Sequence, residues 1–339
     1  MRARQLRAGL RGWGGVGAMA VVCAVAAVFA LLLPLTQPHG DGSTGVGGPG
    51  LADGTQVRAD DCEAPQNQSL APSSAEGTSV AAIKKRGYLS VGVDQNSYRW
   101  GYRNPNSTDE DVQLEGFDID LARRIATDLL GSPDKIRFKA IPTNQRVPAI
   151  QSGRVDMVVR TMTITCARLE QVAFSAPYFL TGQQVLAPVS SDIEGYDGSL
   201  AGKQICSAAG STAYDKLDED RKAGKLDASA DISTTVPNQL DCLVRLQLGQ
   251  VDAVVTDSAL AASQAAQDPT VELKGERFTT EYYGVAMNQK ATDLVRRVNR
   301  ILEQYRTAPD GWRASYDHWL RPTLGADSES ATAPVPTYR

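Results

Sequence analysis

The sequence predicts an α/β protein of two lobes, each built on a largely parallel sheet. Three observations carry that reading. Strand-like and helix-like patterns alternate from Ser79 to Thr323, as they do when helices layer on parallel strands. The chain has 339 residues, more than one ordinary domain needs. One segment also recurs: Gln151-Ser-Gly-Arg-Val-Asp-Met-Val-Val159 returns as Gln247-Leu-Gly-Gln-Val-Asp-Ala-Val-Val255, with Gln, Gly, Val, Asp, Val and Val at the same offsets.

The elements follow in order. Ala81 to Arg86 reads as a short helix stopped by Gly87, and Leu89 to Val93 as a buried strand ending at Asp94. Asp118 is placed to cap a helix in which Leu121, Ile125 and Leu129 share a face, and Gly131 ends it. Ile136, Phe138 and Ala140 alternate as a strand; Asn144 to Ser152 reads as a helix, followed by Gly153 and the strand Val155 to Val159. The second half repeats this grammar with strand Gln204 to Ser207, helices Thr212 to Ala223 and Asn238 to Leu248, and strand Val251 to Val255.

Ligands of open α/β sheets bind beyond the carboxyl ends of the strands. Arg160, Thr161, Thr163, Thr165 and Arg168 follow the first copy of the repeat, and Thr256 and Asp257 follow the second. One lobe thus offers cations and hydroxyls and the other a carboxylate, a combination suited to a zwitterion.

The ends differ from this middle. Arg2, Arg4, Arg7 and Arg11 precede an apolar run from Val16 to Leu33, close to the ~20 residues that span a bilayer. Positive charge before such a run keeps that end in the cytoplasm, so the run predicts a single-pass anchor with the remainder outside. A cleaved signal peptide followed by secretion is the alternative. Gly40 to Ser79 is rich in Gly, Pro and Ser and reads as a flexible tether, and the residues after Leu324 read as a disordered tail.

Composition excludes several classes. With 35 Lys+Arg against 39 Asp+Glu, no cationic excess exists to neutralise phosphates, so no nucleic-acid partner is expected. His39 and His318 are the only histidines, which speaks against His-based triads and His-rich metal sites. The five cysteines form no CxxC pair, so neither metal nor cofactor is expected.

Taken together, the run Val155-Asp-Met-Val-Val-Arg-Thr-Met-Thr-Ile-Thr-Cys-Ala-Arg168 and Phe174-Ser-Ala-Pro-Tyr178 resemble the signature of family 3 extracellular solute-binding proteins. These are the amino-acid-binding components of ABC importers. Gly116-Phe-Asp-Ile-Asp-Leu121, Gly210-Ser-Thr212 and Val251-Asp-Ala-Val-Val-Thr-Asp257 match in the same order, and the resemblance runs from Ser79 to about Leu320. Cys166 and the Asp241-Cys242-Leu243 segment resemble an actinobacterial branch near glutamate and glutamine binders.

The resemblance implies a bilobed periplasmic-binding-protein type II fold, two α/β lobes joined by a two-strand hinge, here preceded by a transmembrane helix. The expected divisions are 1–36 (basic end and anchor), 37–78 (linker), 79–182 (first part of lobe 1), 183–283 (lobe 2), 284–322 (return to lobe 1) and 323–339 (tail). It also implies a monomeric receptor that closes on an amino acid of the glutamate, glutamine and aspartate class, glutamate first, and hands it to an ABC permease. A sensor signalling to a membrane partner, and a periplasmic dehydratase-type enzyme on the same fold, are the alternatives; no catalytic residue is expected.

By resemblance, Arg168 grips the ligand α-carboxylate, for which its guanidinium fork is suited. Thr163 supplies a hydroxyl, Thr161 a backbone carbonyl, and Asp257 the acid for the α-ammonium. Ser211 and Thr212 fall at a helix start that meets the carboxylate. Asp94, at the end of the first strand, is a further candidate; one of the aromatics Tyr98, Trp100 and Tyr102 is expected to pack on the ligand's aliphatic part, and Arg160 to reach a distal carboxylate or amide. In an oxidising compartment four cysteines allow three pairings. Cys206 and Cys242 share lobe 2 and are paired, which leaves Cys62 for Cys166.

Overall fold

The computed structural model describes residues 62–106 and 114–339. The expected anchor at 1–36, and the linker before Cys62, lie outside the described residues. Among the described residues no helix is long and apolar enough to cross a membrane.

Lobe 1 begins with helix α1 (Thr78–Arg86), which Gly87 ends in a left-handed conformation with its N–H on the carbonyls of Ile83 and Lys84. Strand β1 (Leu89–Val93) is buried at all five positions, as a strand covered on both faces must be. A hairpin of β2 (Asn96–Ser97) and β3 (Gly101–Tyr102) follows, then α2 (Phe117–Leu130), whose apolar face faces the core. The lobe continues through β4 (Ile136–Ala140), α3 (Arg146–Gln151), β5 (Met157–Val158), the short turn α4 (Cys166–Leu169), β6 (Ala173–Phe174) and β7 (Phe179–Thr181).

Lobe 2 comprises β8 (Gln183–Pro188), β9 (Gln204–Ala208), α5 (Thr212–Lys222), β10 (Asp231–Val236), α6 (Gln239–Gln247), β11 (Ala253–Asp257), α7 (Ser258–Ala265) and β12 (Val271–Lys274). The chain returns through β13 (Glu281–Tyr283) and β14 (Ala286–Met287) and ends in α8 (Thr292–Thr307), α9 (Trp312–Trp319) and α10 (Arg321–Leu324).

The two five-stranded sheets have the same plan, β4-β1-β5-β14-β6 and β10-β9-β11-β8-β12. In each, the first three strands are parallel and the last two pair antiparallel. The sheets are therefore mixed rather than largely parallel, for a topological reason. Each lobe is entered from the hinge, beside the carboxyl ends of the parallel strands, so the entering strand must run the other way. Gln183 at the start of β8 accordingly pairs with Asp257 at the end of β11, and Ala286 of β14 with Val158 of β5.

The sequence repeat is this symmetry. Its two copies supply β5 and β11, the central strands of the two sheets, parallel to β1 and β9 respectively. The repeated aspartates do the same work: Asp156 Oδ2 accepts the Ser90 N–H and Asp252 Oδ2 the Gln204 N–H, both at 2.7 Å. Each carboxylate ties the start of the adjacent parallel strand, β1 or β9, to the segment that leads into the central strand.

β7 and β13 pair antiparallel as the two strands crossing between lobes. Beneath them Trp100, Phe117, Phe179 and Tyr283 form an aromatic core with ring centroids 4.8–5.7 Å apart. Lobe 2 has cores of its own around Val185, Leu217 and Val255, and around Leu186, Cys206 and Val254.

Both expected disordered ends need correction where they are described. Ser69 is buried; its hydroxyl donates to the Phe174 carbonyl and accepts from Asn299 Nδ2. The tail folds back: Ser330 and Ala331 are buried, Arg306 donates to the Pro334 carbonyl, and Ser69 bridges to Tyr338. Neither stretch has a core of its own, but both borrow one face of the helix Thr292–Thr307 and its surroundings. Composition judges what a segment can bury alone, not what surface it meets.

Candidate ligand-binding site

Most of the expected residues converge between the lobes. One cleft is lined by Thr161, Thr163 and Arg168 from lobe 1 and by Ser211, Thr212, Thr256 and Asp257 from lobe 2. Arg146 and Gln239 also line it, neither of them foreseen from the sequence.

Arg168 is held in α4, where the Thr165 hydroxyl accepts its N–H and caps the turn. Its Nη1 donates to the Thr163 carbonyl at 2.8 Å and its Nη2 to the Gly210 carbonyl of lobe 2 at 3.2 Å. Arg146 sits beside it, donating to the carbonyls of Thr143, Arg160, Thr161 and Gly210. Gly210 is a close approach between lobes: its φ is +74°, and a Cβ there would stand 3.1 Å from the Asn144 Cα. Ser211 caps α5, its hydroxyl accepting the Tyr214 N–H, so that helix opens its N-terminus on the same place.

Two carboxylates oppose the guanidiniums. Asp257, at the end of β11, accepts the Tyr283 hydroxyl. Glu281, which sequence reasoning missed, accepts from Thr163 Oγ1 at 2.5 Å, Thr212 Oγ1 at 2.9 Å and Gln183 Nε2 at 2.5 Å. An acid inside a short strand beside two tyrosines was the available signal, since unpaired acids are rarely buried. Burial pushes the Asp257 carboxyl well above the usual range and the Glu281 charge adds to this; Tyr283, Arg146 and Arg168 oppose it. Burial also lowers Arg168, with Glu281, Asp215 and Asp257 pulling the other way.

Five expectations are corrected. Arg160 does not reach the cleft: it is fully buried and donates Nη1 to Thr143 Oγ1 and Nη2 to Asn238 Oδ1, each at 3.0 Å. Its Nη2 also lies 2.8 Å from Asp94 Oδ2, so Asp94 is committed as well, with Gln95, Asn96 and Ser97 as further donors. A buried charge needs a partner, and each is the other's. Trp100 is 0% exposed in the aromatic core, while Tyr98 lines a separate small cavity with Leu240, Leu260 and Gln264. Asp118 is not a cap either; Gly116 holds that position. Its carboxylate instead accepts the Thr161 N–H at 2.9 Å and the Tyr178 hydroxyl at 2.8 Å, and burial pushes its pKa up to about 7. That bond holds Thr161 at a φ of +38°, costly for a β-branched residue, where the chain turns out of β5 into the cleft.

The disulfides Cys62–Cys166 and Cys206–Cys242 are both formed. The first anchors the N-terminal segment to the start of the turn that carries Arg168. The second joins β9 to α6 in lobe 2.

A cleft between two lobes of matching topology, holding cations and carboxylates beyond the ends of equivalent strands, is built to take a small zwitterion. The profile of bacterial extracellular solute-binding proteins, family 3, matches residues 89–322. The chain belongs to this family. Among relatives, the ABC transporter glutamine-binding protein GlnH of Bacillus subtilis is 32% identical over 243 residues, 71% of this chain and 84% of that protein. The glutamate-binding protein GluB of Corynebacterium efficiens is 30% identical over 267 residues, 75% and 84% of the two chains. Among solved structures, a solute receptor for L-cysteine of Neisseria gonorrhoeae superposes with a TM-score of 0.67 at 26% identity, covering 76% of this chain and 100% of that one. An ancestral arginine-binding protein bound to glutamine gives 0.61 at 33% identity, with 71% and 99% covered. These solute-binding relatives are named for binding, and none of the four for catalysis.

Proposed function

We propose that this family 3 solute-binding protein is the receptor of an ABC importer for a small polar amino acid of the glutamate and glutamine class. The observation that carries the reading is the pairing of Arg168 with Asp257 across one inter-lobe cleft. Arg168 takes the α-carboxylate with help from the N-terminus of α5, and Asp257 takes the α-ammonium. The names of the glutamine- and glutamate-binding relatives support the tail class. Closure about β7 and β13 would bury the ligand and present the closed form to a permease.

Calorimetry with the common amino acids tests this. Wild-type protein should bind at least one of them, and Arg168→Ala should lose about a thousandfold in affinity, the effect of stranding one member of a desolvated charge pair at ~3–5 kcal/mol. Near wild-type affinity in Arg168→Ala would overturn the assignment.

The arginine-flanked apolar run at Val16 to Leu33 supports a location outside the cytoplasmic membrane, held by an uncleaved single-pass anchor. Protease added to intact cells should then remove the binding lobes from the membrane fraction. Full protection would argue for the opposite orientation.

A further inference from the structure

One polar group of the cleft is left without a partner. Gln239, the first residue of α6, lines the cavity together with Thr256 and Asp257 and is 6% exposed. Among the described residues its Oε1 is buried and accepts no hydrogen bond. An unpaired buried acceptor costs about 1–3 kcal/mol, so a donor from outside the chain would relieve a real penalty. Several neighbouring groups are already engaged. Arg146 spends its guanidinium on four carbonyls, the hydroxyls of Thr163 and Thr212 donate to Glu281, and the Ser211 hydroxyl caps α5.

Charge narrows what that donor is. With a ligand α-carboxylate on Arg168 and its α-ammonium on Asp257, the remaining charged lining residue is Arg146, whose guanidinium is spent on carbonyls, and Glu281 lies one hydrogen bond behind the lining at Thr163 and Thr212. A carboxylate tail offers only acceptors, which would face the lone pairs of Gln239 Oε1. A primary amide offers N–H donors of the required kind.

We propose that Gln239 is a specificity-determining residue that reads the ligand's side chain and selects a neutral amide over a carboxylate. This rests on the amino-acid-binding reading above and adds the group that discriminates among such ligands. The pairing is an amide N–H of the ligand donating to Gln239 Oε1. Sites built to hydrogen-bond a polar group discriminate strongly because the analogue lacking it leaves a buried partner unmatched.

The test is calorimetry on the full-length protein and two variants with L-glutamine, L-glutamate and L-norvaline, whose tail is apolar. Wild type should prefer glutamine to glutamate by about tenfold or more. Gln239→Leu should shrink the glutamine-to-norvaline preference by about tenfold, a ratio that a general loss of stability would not move. Gln239→Glu is nearly isosteric, keeps acceptors and forbids an overturned amide, so it should widen the glutamine-to-glutamate margin by about another tenfold. Ratios that stay within about twofold of wild type in both variants would overturn the role of Gln239 while leaving the receptor standing. A wild-type preference for glutamate would also overturn it. If wild type bound no amino acid at all, the functional reading would fall and this inference with it.

Discussion

Replacing Arg160 with methionine should weaken amino-acid binding although Arg160 lies outside the ligand cleft. Its guanidinium is fully buried, 2.8 Å from Asp94 and 3.0 Å from both Thr143 and Asn238. Two effects follow from that geometry. Asp94, 5% exposed, would lose its counter-ion, and breaking a buried pair from one side costs about 3–5 kcal/mol of stability. Separately, Asn238 belongs to lobe 2, so its bond with Arg160 crosses between lobes and favours the closed arrangement. A hydrogen bond to a charged group contributes about 1.5–3 kcal/mol, equivalent to about ten- to a hundredfold in apparent affinity. Chemical denaturation reads the first effect and calorimetry the second. The double variant Asp94→Asn/Arg160→Met separates them: removing both charges should restore most of the stability but not the lost affinity. A single variant with wild-type stability and wild-type affinity would refute the reasoning on both counts.

Two further outcomes follow from the same structure. Because burial raises the Asp257 carboxyl, the free protein holds that proton to higher pH than an ordinary aspartate does. An ammonium ligand needs the ionised form, so binding should release a proton, and affinity should fall as pH drops through the raised pKa. Calorimetry in buffers of different ionisation enthalpy detects the release; a buffer-independent enthalpy with affinity flat across that range would contradict it. The Cys206–Cys242 bond closes a loop with a sequence separation of 36, and the double serine variant should lose about 2–4 kcal/mol in denaturant unfolding. An unchanged unfolding midpoint would show that this bridge does not constrain lobe 2.

Much of this was legible in the sequence because the chemistry follows the repeat. Arg168, Thr163 and Thr161 come after one copy and Asp257 after the other, and strand ends are where open sheets place ligands. The residues that escaped notice are brought to the cleft by other routes. Glu281 arrives on a hinge strand, Arg146 at the start of a six-residue helix, and Gln239 beside the Asn238 cap, where a polar residue draws no attention. Arg160 was misread for a related reason. Its position after the first strand copy is a ligand position by pattern, and only the tertiary fold brings Asp94 to meet it. The tail was misjudged because composition cannot see Arg306 and Arg313, whose guanidiniums hold the Pro334 and Ala331 carbonyls.

The bond between Cys62 and Cys166 has a mechanical consequence. Tension arriving along the chain from before Cys62 enters lobe 1 covalently, at the first residue of the turn that carries Arg168, and bypasses the hydrogen-bonded stretch between Cys62 and Thr78. The C-terminal segment is fastened to the same lobe through Tyr338 and Ser69. Lobe 2 joins lobe 1 through the hinge strands and through contacts across the cleft and beside it, among them Arg160 with Asn238 and Arg277 with Glu329. For any partner that holds the N-terminal side, lobe 1 is therefore the fixed jaw, and the carboxylate-gripping arginine belongs to it. The jaw that swings carries Asp257 and Gln239, so the moving half brings the groups that test the ammonium and the tail.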